Sequence, residues 1–348
     1  MDYPSLLSTT EAMSADRLHV LWLTPDKPEH ISVGRRRIAE QLRQQGYDVT
    51  LRGTTLRTLF AALRERGQYD LVIGTTRAGA IAGTTLTLVD GPLIVDHVDP
   101  IRQFEATHPW WLSGPVRWLE QFAFTVADHV LYVYSEEKER VERFASAASK
   151  TDLGVAYERF ADPPDEIVAT ARSKLSAFDS ENILIYVGGL ESIYHISDLL
   201  AAMRQLDDWT LVVLGTGSLE PEVQRAAQKH SNVSYLGTVP HEEVPGYLHA
   251  ATVGVCLVDD PHTLKVLEYG AAGLPVVQLA GRAEPRFEDR VTFCEPTPSA
   301  IAHAVRTAAQ STEPESLQTF VQQFDFEEIA ADYANAIAQA VDAHGESE

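Results

Sequence analysis

The sequence predicts two doubly wound α/β units in tandem, each a parallel sheet wrapped by helices. From Arg17 onward, short apolar runs rich in β-branched residues alternate with helical patterns, the signature of βαβ units. The alternation breaks at 150–164, a stretch holding Gly154, Pro163 and Pro164, and restarts at Ile183. A chain of 348 residues, 45% of them hydrophobic, can fill two cores but is long for one.

In the first half, strands are expected at 18–23, 47–51, 71–74, 93–96 and 130–134, separated by helices at 34–45, 56–66, 116–127 and 136–147. In the second half the strands fall at 183–187, 210–214, 233–236, 253–258, 275–279 and 291–294, with helices at 196–206, 219–230, 242–251 and 264–272. The strands read as continuous apolar runs rather than alternating ones, as strands covered on both faces do. A last helical tract, 326–343, is long enough to cross back over the first domain. The expected division is a flexible leader at 1–16, a first Rossmann-like domain at 17–163, a second at 164–325, and a crossover helix with tail at 326–348. In such sheets ligands bind at the carboxyl ends of the strands, which predicts a cleft between the two domains.

Fifty acids against 28 Lys and Arg give a net charge of -22. Only six of those bases are lysine, and an acid-rich, lysine-poor surface suits hydration in concentrated salt, which predicts a halophilic source. The same field repels nucleic acid and anionic lipid, so nucleic acid is not an expected partner. Cys256 and Cys294 both sit in β-like runs without CxxC or Cys/His spacing, and read as buried thiols in a reducing cytoplasm rather than as zinc ligands. No apolar run reaches the roughly 18 to 20 residues of a membrane span. The first 16 residues carry Asp2, Glu11 and Asp16 and lack the basic start of a secretory signal.

The most informative stretch runs from Asp260 to Val277. Thr263 reads as an N-cap, 264–272 as a short helix, and Gly273 and Pro275 as its stop before a strand. Asp260 and Glu268 lie eight residues apart around that helix start. A helix N-terminus offers amides to a pyrophosphate, and an acid beside it can accept from sugar hydroxyls, so this is a place to hold a nucleotide-sugar.

Four further stretches precede it in order: 187–190 with Gly188 and Gly189, 213–217 with Gly215 and Gly217, 235–237, and the helix and strand at 242–258, followed by Lys265 to Val277 itself. Together they resemble the donor domain of a GT-B fold retaining glycosyltransferase of the large group 1, or family 4, type, which includes sucrose-phosphate synthases and α-mannosyltransferases. The resemblance covers 183–310, and more faintly the first half, where 130–135 is similar to the closing strand of the acceptor domain. It implies a metal-independent hexosyltransferase that takes a nucleoside-diphosphate sugar as co-substrate and needs no other cofactor. The acceptor, a glycan, a lipid-linked or a small molecule, would lie mainly on the first domain.

Carried over by that resemblance, Glu268 would accept from the ribose hydroxyls, Asp260 would face the transferred sugar, and Gly188, Gly189 and Gly215 would line the nucleotide. Asp259 competes with Asp260 for its role. Lys265 would place its ammonium on the diphosphate, or else pair with Glu268 on the same helix face. Two cations that the family usually supplies are missing, since Gly189 stands for the arginine and Tyr194 for the lysine. Their loss motivates a second reading, a non-catalytic GT-B module that binds nucleotide or glycan beside an active transferase.

Gly34, Arg35 and Arg37 open the first helix, where cations oppose the helix dipole and a bound phosphate would account for them. The alternative is a solvated face with Arg36 paired to Glu40. His97 ends a strand at the position where the family often places a histidine toward the donor sugar, and Asp96 and Asp99 flank it. Trp110, Trp111 and Trp118, with Phe104, Phe122 and Phe124, either pack beneath a loop or grip a lipid acceptor or membrane interface, a peripheral contact at the inner face of the cell membrane.

Overall fold

A computed structural model describes residues 17–25, 31–65, 67–87, 91–176, 182–310 and 314–345. The leader expected at 1–16 lies outside the described residues. The chain divides into two compact units, one of 1–132, 136–149 and 334–348, the other of 133–135 and 150–333.

The first unit runs β1 (His19–Thr24), α1 (Val33–Gln44), β2 (Asp48–Gly53), α2 (Leu56–Arg64), β3 (Leu71–Thr75), α3 (Thr76–Thr87), β4 (Leu93–His97), α4 (Ile101–Thr107), α5 (Trp110–Val126), β5 (His129–Tyr132), α6 (Lys138–Phe144) and β6 (Ala148–Lys150). Among the described residues the strands form a six-stranded sheet in the order β2-β1-β3-β4-β5-β6, and β1 through β5 pair in parallel. Strand order therefore reverses between β1 and β3. Leu21, Leu23, Val72, Val95, Phe124 and Val130 form the centre of its core.

Helix α3 is absent from the sequence reading because its residues, Thr76 to Thr87, are small and apolar with little periodicity. Close packing accounts for it: a Cβ on Gly74 would stand 2.4 Å from the Gly79 carbonyl oxygen, and one on Gly79 would stand 2.7 Å from that of Leu23. Helix α5 begins at Trp110, six residues before the expected start. Pro115 lies inside it, and the bond that Pro115 cannot make would go to the carbonyl of Trp111, an exposed residue, so the helix continues through the proline.

The second unit runs α7 (Tyr157–Ala161), α8 (Asp165–Leu175), β7 (Asn182–Val187), α9 (Ile196–Ala202), β8 (Trp209–Leu214), α10 (Glu220–Lys229), β9 (Val233–Gly237), α11 (Val244–His249), β10 (Val253–Cys256), α12 (Leu264–Ala271), β11 (Val276–Leu279), α13 (Glu284–Phe287), β12 (Thr292–Cys294), α14 (Pro298–Ala308), α15 (Pro314–Gln322) and α16 (Phe326–Gly345). Its described strands also form a six-stranded sheet, β12-β11-β10-β7-β8-β9, with every pairing parallel. This is the doubly wound order of a dinucleotide-binding fold, and it reverses between β7 and β10. Tyr186, Leu211, Val213, Val255, Val277 and Ile301 lie in its core.

Helix α16 starts in the second unit and, from Ala334, belongs to the first, where His344 Nδ1 stands 3.7 Å from Asp128 Oδ1. Among the described residues no helix is long and apolar enough to cross a membrane.

Candidate functional site

The second unit carries its distinctive geometry at the point where strand order reverses, since β7 and β10 are neighbours whose following segments diverge to opposite sides. Gly188, just after β7, has φ 141°, which a side chain rarely adopts. Gly215, just after β8, packs so closely that a Cβ there would overlap the Gly188 carbonyl oxygen at 1.8 Å. Below this turn the Tyr269 hydroxyl accepts the Val187 amide at 2.9 Å, and the ring lies against Gly254, where a Cβ would come within 2.5 Å of it. Helix α12 is thereby fixed beside the end of β7.

Thr263 does precede α12, but its hydroxyl makes no cap bond; its Oγ1 lies 3.7 Å from Cys256 Sγ. The amides of the first turn of α12 therefore receive nothing from that side chain. Lys265, in this first turn, points at the β7 turn: a Cβ on Gly188 would stand 2.3 Å from its Cε and 3.0 Å from its Nζ. Its ammonium lies 3.7 Å from the centre of the Tyr194 ring and 5.3 Å from that of Tyr186. Burial pushes the Lys265 ammonium below its ordinary value, with the Glu268 charge acting in the opposite direction. The ammonium is held by ring faces, which stabilise a partly desolvated cation by about 1–2 kcal/mol.

Glu268, one turn further along α12, has His241 Nε2 at 3.4 Å. Asp260 accepts the Tyr134 hydroxyl at 3.1 Å and the His262 amide at 2.9 Å. Asp259 is turned away onto the Arg282 amide at 2.7 Å. Gly188, Gly189, Gly215, Lys265 and Tyr194 are thus brought together, with Glu268 on the same helix as Lys265. Gly189 has Tyr194 Cε2 at 3.4 Å from the position of a Cβ, so Gly189 and Tyr194, the two positions where the resemblance led to cations being expected, are adjacent in space.

In the first unit His97 is 2% exposed at the end of β4. Its Nε2 lies 3.0 Å from Glu137 Oε2 and its Nδ1 3.4 Å from Glu120 Oε1, so both ring nitrogens already face carboxylates. Arg140 bonds both of those glutamates, and Arg77 Nε is 3.5 Å from Glu120. Burial alone would lower the His97 pKa, but the bonds to Glu120 and Glu137 outweigh it and raise it. Burial would likewise raise Glu137, yet His97 and Arg140 hold its carboxyl down to about 2. Asp96, beside it, belongs to a different chain of contacts: Trp22 Nε1 donates to Thr75 Oγ1 at 2.7 Å, and Thr75 donates to Asp96 at 2.7 Å.

Ser32 caps α1 through the Arg35 amide, and the Arg35 guanidinium bends back to Ser32 Oγ at 3.1 Å, with Nη2 4.0 Å from Asp96. Arg37, not Arg36, takes Glu40, at 3.2 Å. Gly34 lies in the first turn of α1, directly before Arg35.

Sequence reasoning did not assign Tyr186 and Tyr269, nor the Glu120, Glu137 and Arg140 cluster. One signal was available: Glu120 is the single acid in an otherwise uncharged and apolar part of α5, and a lone acid there predicts a buried partner.

Residues 181–311 match the family described as Glycosyl transferases group 1. The match lies within the second unit, and the fold of the whole chain is GT-B. Among solved structures, the chain resembles HepE of Anabaena in complex with UDP, at 15% identity over 92% of this chain and 99% of that one, with a TM-score of 0.72. It also resembles the sucrose-phosphate synthase of Thermosynechococcus elongatus, at 19% identity over 93% and 99% of the two chains, with a TM-score of 0.74. A UDP-forming trehalose-phosphate synthase of Burkholderia xenovorans, solved with glucose-6-phosphate, matches at 11% identity over 92% and 99%, with a TM-score of 0.65. No curated protein matches the sequence. The stretch matched to the group 1 family is the one that holds Gly188, Lys265 and Glu268.

Proposed function

We propose that the second unit binds its nucleoside-diphosphate sugar where β7 and β10 part, with Lys265 against the diphosphate, Glu268 accepting from the ribose hydroxyls and Asp260 toward the transferred sugar. The sugar then passes with retained configuration to a glycan, lipid-linked or small-molecule acceptor. One observation carries this reading: the Lys265 ammonium lies over the ring of Tyr194, the residue standing where the family's phosphate-binding lysine would be. The cation lost from one element is supplied from another, and the neutral ring holds it in place without cancelling its charge.

The first-turn amides of α12 add donors, while the Gly188 and Gly215 amides are bonded to the Leu214 and Gly237 carbonyls, so those two turns contribute close backbone approach. Leaving-group charge is then met by a fixed cation and fixed dipoles, which cost no reorganisation as the bond breaks. His97 reaches a sugar hydroxyl only by exchanging Glu137 or Glu120 for it, and otherwise fixes the end of β4. Gly34, Arg35 and Arg37, at the start of α1, would meet an anionic group in the first unit. HepE was solved with UDP and with UDP-glucose, which makes uridine nucleotides the first donors to try.

Calorimetric titration with UDP, GDP and ADP tests the site. One of the three is expected to bind the wild type, and Glu268→Gln to weaken it at least about tenfold, the loss of a charged hydrogen-bond acceptor. Unchanged affinity in Glu268→Gln would sink the ribose assignment.

A further inference from the structure

Helix α5 departs from the usual pattern of a surface helix. One side of it is buried in the first core through Ala123 and Phe124, yet the solvent side is apolar as well. Trp110 is 82% exposed, Trp111 63%, Trp118 64% and Phe122 40%, with Leu119 and Val126 also open to solvent. Trp111, Pro115, Trp118 and Phe122 follow one another at spacings of four, three and four, which places them in a single stripe. The Trp118 and Phe122 rings stack at 6.0 Å. Three tryptophans this open leave on the order of 500 Å² of aromatic surface in water, as large as the largest apolar patch of an ordinary soluble monomer.

Charge separates this stripe from the rest of the molecule. With 50 acids in 348 residues, a stretch of 21 would carry about three. Residues 106–126 carry one, Glu120, and it is 1% exposed, bonded to Arg140. The stretch thus presents no carboxylate to solvent, and its exposed charge is a single arginine, Arg117, which reaches Glu105 at 3.3 Å. On a chain of net charge -22, this face brings to a lipid surface one neighbouring acid, Glu105, and that one is paired with Arg117.

We propose that α5 docks the protein on a lipid bilayer, lying in the plane of the interface with Trp110, Trp111, Trp118 and Phe122 inserted among the headgroups. Tryptophan is suited to that depth, having a large apolar body and one N–H that stays with the polar layer. The stripe holds no cluster of lysine or arginine, so attachment comes from aromatic burial and not from attraction to anionic lipid. The net charge then opposes binding to anionic bilayers at low salt, and screening relieves that opposition, so binding strengthens as salt rises. This is the reverse of a basic amphipathic helix. Nothing in the argument depends on the donor site.

Sedimentation of the full chain with phosphatidylglycerol and phosphatidylcholine vesicles, at about 0.1 M and about 1 M NaCl, tests the proposal. The wild type is expected to sediment with both at high salt, and with phosphatidylglycerol more at high salt than at low. Trp110→Ser/Trp111→Ser/Trp118→Ser should reduce binding about tenfold or more while keeping the wild-type melting temperature, because the three side chains are exposed. Trp22 and Trp209 are buried, so a blue shift of tryptophan emission on adding vesicles reports the α5 residues. Failure to sediment at either salt, or binding that falls with salt, overturns the proposal. A wild-type dimer that becomes monomeric in the triple variant, with no vesicle binding in either, assigns the stripe to a second copy of the chain and also overturns it.

Discussion

The Lys265 ammonium lies 3.7 Å from the centre of the Tyr194 ring, on an element 71 residues away in sequence. If the ring holds the cation for a diphosphate, Lys265→Met should weaken nucleoside-diphosphate binding by about ten- to a hundredfold, the range of a lost charge-assisted bond, and leave nucleoside binding alone. Glu268→Gln should weaken both ligands. Calorimetry with a nucleoside and its diphosphate separates the two, and an equal loss for both ligands in Lys265→Met would remove its phosphate role.

Gly188 has two reasons to be glycine, its φ of 141° and the Lys265 side chain in the place of its Cβ. Gly188→Ala should cost about 1–3 kcal/mol of stability and displace the lysine, lowering donor affinity. Gly189→Ala meets only Tyr194 Cε2, at 3.4 Å, and should change the melting temperature little. Equal effects of the two substitutions on melting would contradict this account of the turn.

The Tyr269 hydroxyl accepts the amide of Val187 in a fully buried setting. Burial raises the Tyr269 pKa well above the ordinary value, so the group stays a neutral hydroxyl. Tyr269→Phe keeps the ring against Gly254 but orphans the amide, which should cost about 1–3 kcal/mol in denaturant unfolding. A variant as stable as wild type would mean that the amide finds another acceptor.

The His97 cluster gives the first unit a pH profile with two flanks. His97 is raised in the folded state, so its contribution is fully present below the ordinary histidine value of 6.5 and is lost as pH climbs through the folded value. Glu137 is depressed, so its contribution is present above 4.5 and is lost as pH falls toward about 2. Thermal melts across pH should show wild-type stability declining above 6.5. His97→Gln should be less stable at pH 6 and flatter on the alkaline side. A parallel alkaline slope in the variant would place the titration elsewhere.

Much of the fold was legible because parallel strands are written as unbroken apolar runs. The strand expected at 71–74 is Leu71–Thr75, and that at 93–96 is Leu93–His97. Helix α12 was legible for a different reason: Gly273 stops it with a φ of 68°, whereas Thr263 stands at its N-cap position without making the expected side-chain bond. Helices α3, α4, α7, α8, α13, α14 and α15 were not seen, and β6 was missed as well, a three-residue polar strand at the sheet's edge. Such elements are held by packing against neighbours that sequence does not bring together.

By itself, the sequence determined two doubly wound sheets, the order of the glycine turns, and the place of Asp260 and Glu268 around the start of α12. Those are matters of periodicity, local capping and residue type, and each is written within a few positions. Tertiary structure alone decided that Lys265 leaves Glu268 for the Tyr194 ring, that His97 lies between two glutamates, and that the tryptophans of α5 face water instead of packing. These relations join segments distant in the chain, and their energies depend on burial and on what else is near, which no local pattern encodes.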